Sequence, residues 1–249
     1  MNKGEKSFRL KLIGAPRQRL GSMPPIPPIG LALLTAVARS EGVSVAQDDL
    51  DVKLIHRRDL LAQLTALCRR IPQRDLPKVA RALPHEGPIA ELLERIADLT
   101  NHEGYDLLGF SVNEDSFAPG ILLSAFMAAR SGTPVVFGGR SSELRSDVLD
   151  DYPHIDYVVQ GHGEVPLRKL LQTLRDGGNF EDVPSLSYRA DTGETCSNAA
   201  WSFDIADVPC PDFDGLPLDH YRALPILDRN HINPQALLVL PYKISYGCP

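Results

Sequence analysis

Between residue 8 and about residue 177, short apolar runs alternate with stretches of helical periodicity, and that order admits few architectures. FRLKLI (8–13) predicts a first strand, and 29–41 a helix with Leu33, Leu34 and Val37 on one face. Residues 43–49 predict a second strand. Leu60, Leu61, Leu64 and Leu67 mark an amphipathic helix, and Leu92, Leu93, Ile96 and Leu99 mark another over 89–102. YDLLGFSV (105–112) is a continuous run of the kind buried on both faces. Helix 118–131, strand 134–139, helix 142–150, strand 155–161 and helix 164–176 complete the series. The four prolines of 71–88 mark an insertion with room for one helical turn.

Strands separated by helices of ten or more residues imply βαβ units and a parallel sheet covered on both faces. Five strands in this order fit a flavodoxin-like, Rossmann-type α/β fold with strand order 2-1-3-4-5. After Gly178 the texture changes. VPSLSYRADTGETCSN (183–198) reads as a small hairpin turning at Asp191–Gly193. A Pro- and Asp-rich linker follows, and ALLVLPYKIS (236–245) starts a new strand. The expected organisation is an α/β domain over 1–178, hairpin and linker over 179–235, and the start of a further unit over 236–249.

Composition bounds the function. Hydrophobic residues at 43% and charged residues at 23% are ordinary globular values. A net charge of −6 argues against a nucleic-acid binder, which is normally basic. Residues 176–219 hold ten acidic side chains against Arg189 alone, while 56–81 hold five more basic than acidic ones. These read as solvated faces and a solvated linker, or as a docking surface for another domain. Cys68, Cys196, Cys210 and Cys248 are 128, 14 and 38 residues apart, spacings that suit neither a metal knuckle nor a redox pair. Few cysteines and no secretory leader pattern in MNKGEKSFRLK point to the cytoplasm. The longest charge-free apolar stretch, Phe117 to Ala129, is too short for a bilayer, so no membrane partner is expected.

In an open parallel sheet, ligands lie outside the C-terminal strand ends. Four loops meet that edge here. The first is APRQRLGSMPPIPPIG (15–30), with Pro25, Pro28 and Gly30; it serves equally as a rigid connector, with Pro28 near the first helical turn. The third strand delivers Ser111, Val112 and Asn113, residue types that also cap helices. The fourth ends in Gly138 and Gly139, which permit a close backbone approach or a plain tight turn. The fifth ends in Gly161, His162, Gly163 and Glu164, the last favourable to the helix dipole with or without a ligand. Together they offer small residues and backbone donors, a site for a bulky, flat, polar-rimmed ligand. There is neither GxGxxG after the first strand nor a P-loop. A receiver domain would carry aspartate where Ser111 stands. QDDLD (47–51) reads as a solvated strand end, with an acidic pocket after the second strand as the alternative, and the seven histidines show no ligand spacing and for the most part read as surface residues.

The series PPIPPIGLALLTAVARSEG, YDLLGFSVNED, PVVFGGRSSE and HIDYVVQGHGEVPLRKLL resembles the cobalamin-binding N-terminal domain of B12-dependent radical S-adenosylmethionine (SAM) proteins. PCPDFDGLPLDHY through ISYGCP is similar to the linker and first barrel strand of that family, where a CxxxCxxC loop holds a 4Fe–4S cluster. The resemblance implies a corrin over the strand ends, bordered by Ser111, Val112 and Asn113. Gly138, Gly139 and Gly161–Glu164 would surround the dimethylbenzimidazole tail, and the Pro25–Gly30 loop would approach a corrin edge. Cys248 would be the first cluster cysteine. The DxHxxG motif that supplies a cobalt ligand in classical B12 domains is absent, and the family's GEGE is here GHGE. With one cysteine of three, the chain is expected to be a truncated form that lacks the cluster, with cluster and SAM belonging to the complete parent. The expected partners are cobalamin and a radical SAM barrel, in cis or in trans. Two other classes stay open, a ligand-free α/β docking module and an unrelated nucleotide-binding enzyme.

Overall fold

The computed structural model describes residues 7–18, 26–141, 144, 147–201, 208–222 and 241. Its elements are β1 (Arg9–Gly14), α1 (Ile29–Ser40), β2 (Ser44–Asp49), α2 (Leu50–Ile55), α3 (Arg58–Arg70), α4 (Leu76–Arg81), α5 (Pro88–Ala97), β3 (Leu107–Asn113), α6 (Phe117–Ser131), β4 (Val135–Arg140), α7 (Val148–Asp151), β5 (Tyr157–Val159), α8 (Glu164–Asp176), β6 (Leu186–Arg189), β7 (Thr195–Ser197) and α9 (Leu218–Arg222). The strands form one sheet in the order β2-β1-β3-β4-β5-β6-β7. The first five run parallel, and β6 and β7 are antiparallel additions.

Alternation along the strands divides the core in two. Leu10, Leu12, Leu107, Val136 and Val159 join Leu31, Leu167, Leu170 and Leu171 on the face covered by α1 and α8. Ile13, Leu108, Phe110, Phe137 and Val158 point the other way, against the helices from α2 to α7. Each buried leucine of α8 contributes roughly 1.5–3 kcal/mol of transfer free energy. Proline opens α5 at its first position, where the missing N–H has no helical partner to lose.

The expectation of five strands needs correction, because the hairpin extends the sheet. Leu186 and Tyr188 alternate into the α8-side core, while Arg189 donates to the Ile155, Leu149 and Tyr152 carbonyls on the other side. That two-sided pattern lets β6 pair with β5 through Val159↔Leu186 and Tyr157↔Tyr188. The insertion holds more helix than one turn, a 3-10 turn at Gln73–Asp75 followed by α4. Of the helix expected over 142–150, the described part is α7. The strand expected over 236–245 lies outside the described residues except for Pro241. No helix among the described residues is long and apolar enough to cross a membrane.

Residues 208–222, expected as linker, pack on the fold. Asp212 N–H donates to the Ala32 carbonyl of α1 at 2.9 Å, and Arg39 pairs with Asp212. The Gln47 amide of β2 donates to the Asp212 and Asp214 carbonyls at 2.7 and 3.0 Å. Tyr221, 1% exposed, covers Val52 and donates its hydroxyl to Asp49. A chain cut after residue 201 loses all of these contacts. It is expected to unfold in urea with at least about 3 kcal/mol less stability than one cut after residue 222, the cost of one deleted buried aromatic. Equal midpoints would show that the segment adds nothing.

Candidate functional site

The register across the parallel strands lines up one row of small residues. Asp49 lies opposite Gly14, Gly14 opposite Ser111, and Ser111 opposite Gly138. On the α1/α8 side, this row leaves three adjacent strand ends almost without side chains. Above it opens a cavity of about 890 Å³. That volume is at the upper end of the roughly 300–1,000 Å³ typical of small-molecule sites. Its walls are apolar, from Leu31, Leu33 and Leu34 of α1 to Val159 and Leu167.

All of the sequence-predicted residues that fall among the described ones meet here. Pro28, Gly30, Ser111, Val112, Asn113, Gly138, Gly139, Gly161, His162, Gly163 and Glu164 line the cavity. Pro25 and Cys248 lie outside the described residues. The residues contribute differently. Val112 borders the cavity, yet belongs to the core on the opposite face. Ser111 and Asn113 share the cavity side of β3. The Asn113 carboxamide oxygen accepts from the Asp115 and Ser116 amides at 3.0 and 3.1 Å, which holds the loop that opens α6. Gly139 has φ +127°, and a Cβ there would overlap the Val112 carbonyl oxygen and lie 2.8 Å from its nitrogen. This close passage of β4 against β3 requires glycine. At Gly30 and Gly161 a Cβ would meet nothing within 4 Å, so the start of α1 and the β5–α8 loop stay open, whereas at Gly14 it would lie 3.2 Å from Leu31 and 3.3 Å from Asp49 Oδ1.

The acidic end follows the alternative reading, an acidic pocket after the second strand, and not the solvated strand end. QDDLD is buried rather than solvated, with Gln47, Asp48 and Asp49 all inaccessible. Asp48 pairs with Lys11 at 3.2 Å and Lys53 at 2.5 Å. Burial lowers the Lys11 pKa, and Asp48 opposes that shift. Asp49 caps α2 by accepting from the Asp51 amide at 2.9 Å, and receives the Tyr221 hydroxyl on its other oxygen. Burial pushes its carboxyl up to about 7, against the Tyr221 hydrogen bond and together with the Asp51 charge. Asp51 holds Arg17 through Nε at 2.7 Å and the Arg17 amide at 3.0 Å. Arg17, Asp49 and Asp51 thereby form one polar wall. The available signal was three carboxylates at the end of a strand, two closing it and one just past it, too many to leave unpaired at a packed edge.

Most of the described histidines, His56, His85, His162 and His220, are exposed as expected, and His102 and His154 depart. His102 is buried with neither ring nitrogen hydrogen-bonded among the described residues. His154 meets Ser124 Oγ at 2.9 Å, and burial, reinforced by Arg189, lowers it to about 4. His56 packs against His220 and its carbonyl, away from the cavity. No group of three or more histidine, cysteine or acidic residues that could hold a metal ion occurs among the described residues.

No family model matches the sequence. Over 200 residues it is 23% identical to the uncharacterized methyltransferase PH0819 of Pyrococcus horikoshii, covering 79% of this chain and 36% of that protein. The cobalamin-dependent SAM radical enzyme OxsB, solved with aqua-cobalamin and SAM bound, superposes with a TM-score of 0.54 at 18% identity. That match covers 87% of this chain and 26% of OxsB. The radical SAM methyltransferase TsrM from Kitasatospora setae, solved with cobalamin and a 4Fe–4S cluster, gives 0.51 at 19% identity, over 82% of this chain and 31% of TsrM. The structural neighbours are cobalamin-dependent radical SAM enzymes, and the distant sequence relative is a methyltransferase. The chain spans about a third of that relative's length. At these identities the superpositions establish a shared fold.

Proposed function

We propose that this chain is the cobalamin-binding part of a B12-dependent radical SAM enzyme, with a methyltransferase or a related radical transformation as the parent activity. The observation that carries the reading is the Gly14–Ser111–Gly138 row under a largely apolar-walled cavity, a floor with no side chain larger than serine in that row, which suits a flat, bulky macrocycle. The fold shared with OxsB and TsrM supports it. So does the convergence of four separate loops on that cavity.

In this reading Ser111 and Asn113 offer hydroxyl and amide groups at the floor, and the backbone around Gly161–Gly163 lies along the nucleotide tail. Pro28 and Gly30 bring the start of α1 against the corrin edge without side-chain bulk. Bound methylcobalamin would supply a methyl group for transfer. The proposed organisation keeps 1–178 as the corrin-binding unit, 179–235 as hairpin and linker, and 236–249 as the entry to a barrel. Cys248 is then the first of three cluster cysteines, and the cluster and SAM belong to the complete parent.

Titrating the purified chain with hydroxocobalamin tests the reading. The expected result is a shift of the visible corrin bands, with stoichiometric corrin retained through gel filtration. No spectral change and no retained corrin would overturn it, and preferential binding of a free nucleotide would replace it with a nucleotide-binding role.

A further inference from the structure

Glu164 opens α8, lines the cavity and is only 6% exposed. Among the described residues its carboxylate accepts no hydrogen bond and makes no ion pair. The side chain as a whole is packed away, but its oxygens are not sealed off from solvent, and the surface they keep belongs to the cavity lining, where a ligand donor can replace water. An intrahelical partner stands at the right spacing. Arg168 is four residues on, where a Glu–Arg pair is favourable. Arg168 turns instead toward Glu41 beyond α1, with Nε 3.3 Å from Oε1, at ion-pair distance without hydrogen-bond geometry. The first turn of α8 gives the carboxylate a favourable dipole, which helps it tolerate burial but fills none of its acceptor positions. Asp49, the other buried carboxylate of the cavity, has both oxygens occupied.

We propose that Glu164 accepts a hydrogen bond from a neutral donor on the ligand, a hydroxyl or a primary amide. The inference rests on the cobalamin reading and specifies how the ligand is recognised. Corrin carries primary amides around its rim, and its nucleotide tail carries a ribose hydroxyl. The adjoining Leu34 and Leu167 would strip water from a cation without offering it further acceptors. A carboxylate on the ligand would meet like charge here, so Glu164 also selects amidated corrins over their hydrolysed acids.

The test titrates hydroxocobalamin, and separately cobinamide, which lacks the nucleotide tail, into wild type, Glu164→Ala and Glu164→Gln. Thermal unfolding of the ligand-free proteins runs alongside. Glu164→Ala is expected to bind hydroxocobalamin about 10- to 100-fold more weakly, the range for a hydrogen bond to a charged group. Glu164→Gln keeps one acceptor oxygen and loses less, and the ligand-free Ala variant unfolds close to the wild-type temperature. A loss confined to hydroxocobalamin places the donor on the nucleotide tail, and an equal loss with cobinamide places it on a corrin amide; both support the proposal. Unchanged affinity in Glu164→Ala overturns the proposal and leaves the cobalamin reading standing. Weaker binding matched by an equal loss of stability makes Glu164 structural and also overturns it. Failure of wild type to bind any corrin removes the cobalamin reading, and this inference with it.

Discussion

A Gly139→Ala variant is expected to lose more than about 4 kcal/mol of stability, an exceptional value for one methyl group. Two causes add. The backbone there has φ +127°, and the new Cβ would overlap the carbonyl oxygen of Val112. Backbone paired in a parallel ladder cannot retreat as a flexible side chain could. Many domains have only 5–15 kcal/mol in total, so much of this variant should be unfolded. The neighbouring Gly138→Ala is the control. Its Cβ would lie 3.7 Å from the Val159 carbonyl, an ordinary contact, and its cost should stay within about 1 kcal/mol. Urea unfolding of the two variants checks this, and equal midpoints would refute the assignment of strain to Gly139. Gly138→Ala should instead act on the ligand, because its methyl group rises from the cavity floor.

Asp49 carries the second large effect, and its sign is unusual for a carboxylate. Its pKa rises from 3.8 to about 7 on folding because burial disfavours the charged form. Between those two values the unfolded chain releases a proton that the folded chain keeps. The contribution is therefore fully present below about pH 4 and is lost as pH rises toward 7, by roughly 1.4 kcal/mol per unit. Asp49→Asn removes the titration and keeps the shape. Relative to wild type it should gain on the order of 4 kcal/mol between pH 4 and pH 7.5, read from urea midpoints across that range. Parallel pH profiles for the two proteins would refute the shift. Tyr221→Phe should move the titration further upward, since the lost hydroxyl is what pulls it down.

Local pattern revealed the layers of this fold but not its lateral relations. Helical spacing placed α1, α3, α5, α6 and α8 within a few residues, and the strand order of the parallel core followed from connection rules. Register is not local. Gly14 reads as an ordinary strand end until its partners across the sheet prove to be Asp49 and Ser111. The hairpin was visible in its own alternation, yet nothing near it announced that β6 would join β5. At the acidic end the solvated reading was preferred over the pocket for a similar reason. Asp49 meets Tyr221 across 172 residues, and a buried carboxylate looks solvated until its distant donors are known. The candidate loops, by contrast, were legible, because glycine and small polar residues at strand ends advertise themselves without a partner.

The attachment of residues 208–222 also fixes where mechanical load enters the molecule. A pull or twist applied to the chain past residue 222 reaches Tyr221 first, then Asp49 and α2, and next the Asp212 and Asp214 contacts with α1 and β2. The receiving strand, β2, has a neighbour on one side alone, so it yields more readily than a central strand. The segment thereby ties whatever follows it in the chain to the edge strand and to the polar wall of the cavity.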